Sequence, residues 1–153
     1  MKFVIPGMKE FEILTIVLDL NGTLTIGGEL VHGVKEKIAE LKQLGYRLII
    51  FSGDTRGNGS RIAKYLDIEF INAGTAVQKE TEVKKIQPET CATIGNGLID
   101  IKKIQAVRLG IVTLQAEGVH TKTLLAADII VPSIIDALDL FIDTDRLIAT
   151  MRS

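Results

Sequence analysis

One cysteine in 153 residues leaves no partner for a disulfide within the chain. Cys91 sits in the apolar stretch CATI and reads as a buried, unreactive thiol. No charge of either sign is in excess: the net charge of -1 gives no general attraction to nucleic-acid phosphates or anionic lipid. Long apolar runs are missing too. Leu48–Phe51 and Ile129–Pro132 are far too short to span a bilayer, and MKFVIPGMKE lacks the apolar core of a signal peptide. The expectation is a cytoplasmic protein with neither a membrane nor a nucleic acid as partner. Gly57-Asn58-Gly59 is not followed by Lys-Ser or Lys-Thr, so the P-loop signature is absent, and no Gly-x-Ser-x-Gly element supports a serine hydrolase. His32 and His120 have no metal-ligand spacing.

What is present is a globular composition, 46% hydrophobic and 24% charged, at a length suited to one domain. Short β-branched runs alternate with helix-period segments, which predicts an open, mostly parallel α/β sheet. Ile13–Leu20 reads as a buried strand, with Phe3–Ile5 as an edge extension beside it and Pro6-Gly7 as the break. Thr25-Ile26 and Glu29-Leu30 flank Gly27-Gly28 as a hairpin. Val34–Leu44 is an amphipathic helix closed by Gly45. Strands follow at Tyr46–Phe51, Glu69–Ile71, Cys91–Ile94, Gly110–Leu114 and Asp128–Val131. Helices are expected around Ser60–Leu66, Ala76–Ile86, Leu98–Val107 and Thr121–Ala126, with a helical tail, Ile134–Thr150, broken near Asp143.

Polar clusters fall just past three strand ends, where ligands bind in such sheets. Asp19 ends an apolar strand, a costly place for a carboxylate unless it is paired or bound to metal. Gly22 allows a tight reversal that brings backbone N–H groups near an anion, and Thr23 adds a hydroxyl. A carboxylate beside an anion site calls for a cation. Ser52 and Gly53 offer a hydroxyl and an N–H at the next strand end, although Ser-Gly-Asp is also ordinary turn chemistry. Lys79, Lys84 and Lys85 could each offset phosphoryl charge or belong to a solvated helix face. Asn96 and Asp100, four apart across a glycine-rich turn, could direct two oxygens at one Mg²⁺, or could be turn residues only.

Together DLNGTLT (19–25), FSGDT (51–55), KETEVKK (79–85), IGNGLID (94–100) and AADIIV (126–131) resemble the haloacid dehalogenase superfamily. The likeness is to the phosphorylation domain of P-type ATPases and its free-standing relatives. It implies a three-layer Rossmann-like sheet with a short hairpin flap after the first strand and no cap domain. It further implies Asp19 as nucleophile and magnesium ligand, the Asn21 carbonyl as a second ligand, Ser52 as phosphoryl holder and Lys79 as the family lysine. Asn96 and Asp100 would complete the metal site, directly or through water.

Two departures stand out. Asn21 occupies the place where phosphatases of this superfamily carry the aspartate that protonates the leaving group and activates water; an amide cannot exchange a proton near neutrality. Asn96 replaces an acidic magnesium ligand. The expectation is a slow magnesium-dependent phosphatase acting on a phosphorylated small molecule or a phosphoprotein. A feeble phosphate-binding or regulatory module is the alternative. With no room for a cap, the site is open to large substrates or covered by another subunit, and a homo-oligomer such as a tetramer is expected.

Overall fold

The computed structural model describes residues 1–54 and 57–153. Thr55, the last residue of the FSGDT motif, lies outside them. A six-stranded sheet forms the centre, in the order β10-β9-β8-β3-β6-β7. These strands are β3 (Thr15–Asp19), β6 (Arg47–Ser52), β7 (Glu69–Asn72), β8 (Cys91–Gly95), β9 (Leu109–Thr113) and β10 (Ile129–Val131). All five pairings are parallel. Every residue of β3, β8 and β9 is buried, as a parallel strand covered on both faces requires.

Alternate side chains divide the core into two layers. Ile16, Leu18, Leu48 and Ile50 face α1 (Val34–Gln43), α2 (Asn58–Leu66), α6 (Ile134–Ile142) and α7 (Thr144–Met151). Val17, Ile49 and Phe51 face the other way, toward Val83 of α3 (Ala76–Lys84) and Ala106 of α4 (Ile101–Ala106). A short helix α5 (Thr121–Ala126) precedes β10. The open, mostly parallel sheet expected from the alternating pattern is therefore present, in the three-layer arrangement that the resemblance implied. Among the described residues, no helix is long and apolar enough to cross a membrane.

Two small ribbons complete the fold. β4 (Thr25–Ile26) and β5 (Glu29–Leu30) form the expected hairpin, with Gly27 and Gly28 both at positive φ, the conformation its two-residue turn demands. The N-terminal expectation needs correction. β1 (Lys2–Phe3) does not extend the main sheet; it pairs antiparallel with β2 (Phe11–Glu12), and Phe3 stacks on Phe11. The short apolar run carried no information about its partner, and the aromatic pair supplies one.

The chain fills one side of β3 with β6 and β7, then crosses to fill the other with β8, β9 and β10. The strand order reverses at β3 and β8, and a crevice opens beyond their carboxyl ends. Asp19 is the last residue of β3, Ser52 the last of β6, and Asn96 follows β8.

Candidate active site

Four buried charged side chains meet at this reversal. Lys79 reaches from α3 to Asp19, Nζ to Oδ1 at 2.5 Å, and to Asp100, Nζ to Oδ1 at 2.9 Å. Lys103, on α4, lies 3.1 Å from the same Asp100 oxygen and donates to the Ile94 carbonyl at 3.4 Å. The other Asp100 oxygen accepts the backbone N–H groups of Asn96 and Gly97, each at 3.1 Å. Asp100 and Lys103 are wholly shielded from solvent, while Asp19 keeps 6% exposure at the floor of the cavity. Gly95 makes the approach possible, since a Cβ there would sit 2.6 Å from the Asp100 carboxylate.

The two carboxylates respond differently to this setting. Burial opposes the charged form of Asp100, but Lys103 and Lys79 outweigh it and hold the carboxyl down to about 2. Burial and the nearby Asp100 charge raise Asp19 above the usual carboxylate value, against the pull of Lys79. Burial also works to lower Lys79, yet Asp19 and Asp100 together raise it. For Lys103 burial dominates and its affinity for the proton falls.

Asp19, Asn21, Ser52, Gly53, Lys79 and Asn96 line one cavity of roughly 280 Å³ with Gly74, Gly97 and Ile99. A neighbouring cavity of roughly 450 Å³ shares Asn21, Ser52 and Gly53 and extends under the Gly27-Gly28 turn toward Asn58. Gly53 and Gly74 let the ends of β6 and β7 close together, because a Cβ on Gly53 would lie 2.7 Å from the Gly74 Cα.

Gly22 and Thr23 do not face the cavity as the sequence suggested. Thr23 is fully buried and its hydroxyl donates to Asn96 Oδ1 at 3.2 Å; the Gly22 N–H is taken by the Thr25 carbonyl at 2.8 Å. Both are drawn inward because the turn's own hydrogen bonds must be met in a buried place. They support Asn96: a Cβ on Gly22, at φ +79°, would strike Asn96 Nδ2 at 2.3 Å. The Asn96 amide also donates to the Gly118 carbonyl at 2.9 Å.

Other candidates settle outside the site. Lys84 and Lys85 pair with Glu80 and Glu82 on the exposed face of α3. Asp54 accepts from the backbone of Gly59 and Ser60, tying down the first turn of α2. His120 accepts from the Lys122 N–H at the start of α5. Cys91 is buried and its thiol is pushed up to about 11 by that burial, matching the inert reading.

Two participants were missed. Lys103 had a signal, because it lies three residues after Asp100 in a helix and so shares its face. Gln115 had none: from a loop after β9 its amide donates to the carbonyls of Gly22 and Thr23, and its oxygen accepts the Ile134 N–H.

The donor chemistry fits a hard divalent cation. Asp19, Asn21 and Asn96 line the cavity and offer only oxygens, and Asp100 lies behind them with its own oxygens on Lys79, Lys103 and the Asn96 and Gly97 N–H groups. Among the described residues no group of three or more His, Cys, Asp or Glu gathers to hold a metal, so the protein contributes two carboxylates at most. That suits Mg²⁺, which keeps water and takes phosphate oxygens as ligands.

No family model matches the chain. A soluble P-type ATPase-like phosphatase of Methanocaldococcus jannaschii is 32% identical over 148 residues, covering 87% of this chain and 54% of that protein. The chain thus spans about half the length of that relative. An uncharacterised protein of the same organism is 43% identical over 72 residues, 46% of this chain and 77% of that one. Among solved structures, 3-deoxy-D-manno-octulosonate 8-phosphate phosphatase from Moraxella catarrhalis, in complex with magnesium, phosphate and KDO, superposes with a TM-score of 0.70 at 23% identity. It covers 92% of this chain and 94% of its own. A zinc-transporting PIB-type ATPase in its E2.Pi state gives 0.65 at 26% identity, over 80% of this chain and 20% of the pump.

The chain belongs to the haloacid dehalogenase superfamily. Within that class its particular likeness is to the phosphorylation domain of P-type ATPases and the soluble proteins built from it.

Proposed function

We propose that the chain is a magnesium-dependent phosphohydrolase that works through a phosphoryl group carried on Asp19. One observation carries this reading: a carboxylate buried at the end of the central strand, bonded to Lys79, opening into a polar cavity. A purely structural ion pair has no need of that cavity. The superfamily relatives add support from the phosphatase and pump sides alike.

In the first step an Asp19 oxygen attacks phosphorus and the bond to the leaving oxygen breaks, its electron pair departing with that oxygen. Lys79 holds the attacking carboxylate in place and offsets charge on the transferring group. The Ser52 hydroxyl and the Gly53 N–H line the wall available to phosphoryl oxygens. Asp19, the Asn21 carbonyl, Asn96 and Asp100 are the residues that would hold a magnesium ion, which when bound would supply Lewis-acid charge. In the second step water attacks the phosphorus of the acyl phosphate, releasing inorganic phosphate and restoring the carboxylate. Asn21 can give no proton in the first step and take none in the second. The substrate class is therefore one with a good leaving group, an acyl phosphate or an activated ester of a small molecule or protein, and turnover is slow.

The same two asparagines support a second reading, a phosphate-binding module that turns over little or nothing. Incubation with magnesium and acetyl phosphate followed by intact mass measurement separates the two. A covalent phosphate on the native chain and none on Asp19→Asn is the outcome expected here. Adduct on neither, with phosphate still bound, gives the site to the module.

A further inference from the structure

Asp19, Asp100, Lys79 and Lys103 form a closed group in which two carboxylates face two ammonium groups. Lys103 is the member that neither the sequence motifs nor the mechanism above employs. Among the described residues its Nζ finds only acceptors, the Asp100 oxygen at 3.1 Å and the Ile94 carbonyl at 3.4 Å, so the amine is held as a donor. It lies behind Asp100, has no exposure, and does not line the cavity. Packing alone does not explain a lysine here, since an apolar side chain of similar length would fill the space without an ion to desolvate.

Charge explains it. With Lys103 present the four groups cancel, so a divalent cation entering alone brings two uncompensated charges into a buried place. A phosphate dianion entering alone does the same with the opposite sign. Metal and phosphate entering together leave the balance as it was. Remove Lys103 and the site carries a net negative charge that favours the cation by itself.

We propose that Lys103 is a positioning residue that couples the two ligands: by cancelling one carboxylate and fixing Asp100 from behind, it makes the site take magnesium only when a phosphoryl group is there. This rests on the phosphohydrolase reading for the identity of both ligands. It adds to that reading a mechanism for order, in which an idle site holds no metal and needs none to stay folded. Coupling of this kind is reciprocal, so the metal must tighten phosphate by the same factor that phosphate tightens the metal.

Calorimetric titration with magnesium chloride, in the presence and absence of inorganic phosphate, tests it on the full chain. The native protein is expected to bind the metal at least about tenfold more tightly with phosphate than without. Lys103→Met and Lys103→Gln are expected to tighten magnesium alone by about tenfold or more and to shrink that ratio correspondingly. Lys103→Arg, which keeps the charge, is expected to retain the native coupling. Thermal melts identify any variant that does not fold, and one neutral variant that folds is enough. The proposal is overturned if the neutral variants leave magnesium affinity unchanged or weaker, or if Lys103→Arg behaves like Lys103→Met. Tight metal binding by the native chain without phosphate overturns it as well, while leaving the phosphohydrolase reading in place. A native chain that binds no magnesium under either condition sinks both.

Discussion

Asp19 and Asp100 are buried carboxylates that share Lys79, yet one is set up for stability and the other against it. Asp100 takes four hydrogen-bonding or ionic partners, and its carboxyl is held at about 2 against an ordinary 3.8. A depressed folded value means stability that is fully present above about pH 4 and lost as pH falls through 2. The difference amounts to on the order of 2 kcal/mol. Asp100→Asn would strand Lys103 and leave Lys79 with one partner, at a cost of roughly 3–5 kcal/mol in denaturant unfolding. Asp19 is raised instead, so its ionised form works against the fold at neutral pH. Asp19→Asn is accordingly expected to leave thermal stability unchanged or higher while abolishing phosphorylation. Equal losses of stability from both substitutions would contradict this division. At this scale the sequence was readable where a residue type was unusual for its place, such as an acid closing an apolar strand. Lys103 escaped because a lysine on a helix normally belongs to the solvated face. Gly22 and Thr23 were placed in the right turn, but their hydrogen bonds run inward, which no sequence pattern marks.

Elements were legible to the extent that they were buried on both faces. β3, β6, β8 and β9 show as near-continuous apolar runs, and helix ends were marked by residues such as Gly45, which takes φ +91° just past α1. The sequence pattern predicts one helix over 98–107. It begins as a 3₁₀ turn at Leu98–Asp100 because the Asp100 side chain caps the preceding backbone, and regular helix starts only at Ile101. Gly53→Ala must push the ends of β6 and β7 apart, with a stability cost of about 1–3 kcal/mol. The displacement falls on Ser52 and the cavity wall, so steady-state turnover is expected to drop by up to about 100-fold. Kinetics and a melt on the same preparation check it: turnover retained at native levels would show that this wall does not meet the phosphoryl group.

For the molecule as a whole, the chain between β3 and α1 holds only a hairpin, and α2 alone fills the space between β6 and β7. Among the described residues neither connection carries a further helix or strand over the cavity, and Asn21 at its edge is exposed. On the proposed mechanism, the persistence of a phosphorylated Asp19 is expected to be governed by proton transfer. Asn21→Asp restores a group that can move a proton and is expected to raise steady-state hydrolysis by about 10²-fold or more. It should also shorten the life of the covalent adduct in a chase experiment. No acceleration would show that another step limits turnover.

The hydrogen bonds of the site's turns also protect the chain's chemical identity. Asparagine before glycine converts spontaneously to aspartate when the glycine nitrogen attacks the side-chain amide, and three such pairs occur here, at 21, 58 and 96. In each, the attacking nitrogen is already engaged: Gly22 with the Thr25 carbonyl, Gly59 with Asp54 and Gly97 with Asp100. Folding thus preserves the amides at 21 and 96. Protein held unfolded by heat or denaturant loses that protection, and deamidation at position 21 would introduce an acidic group there.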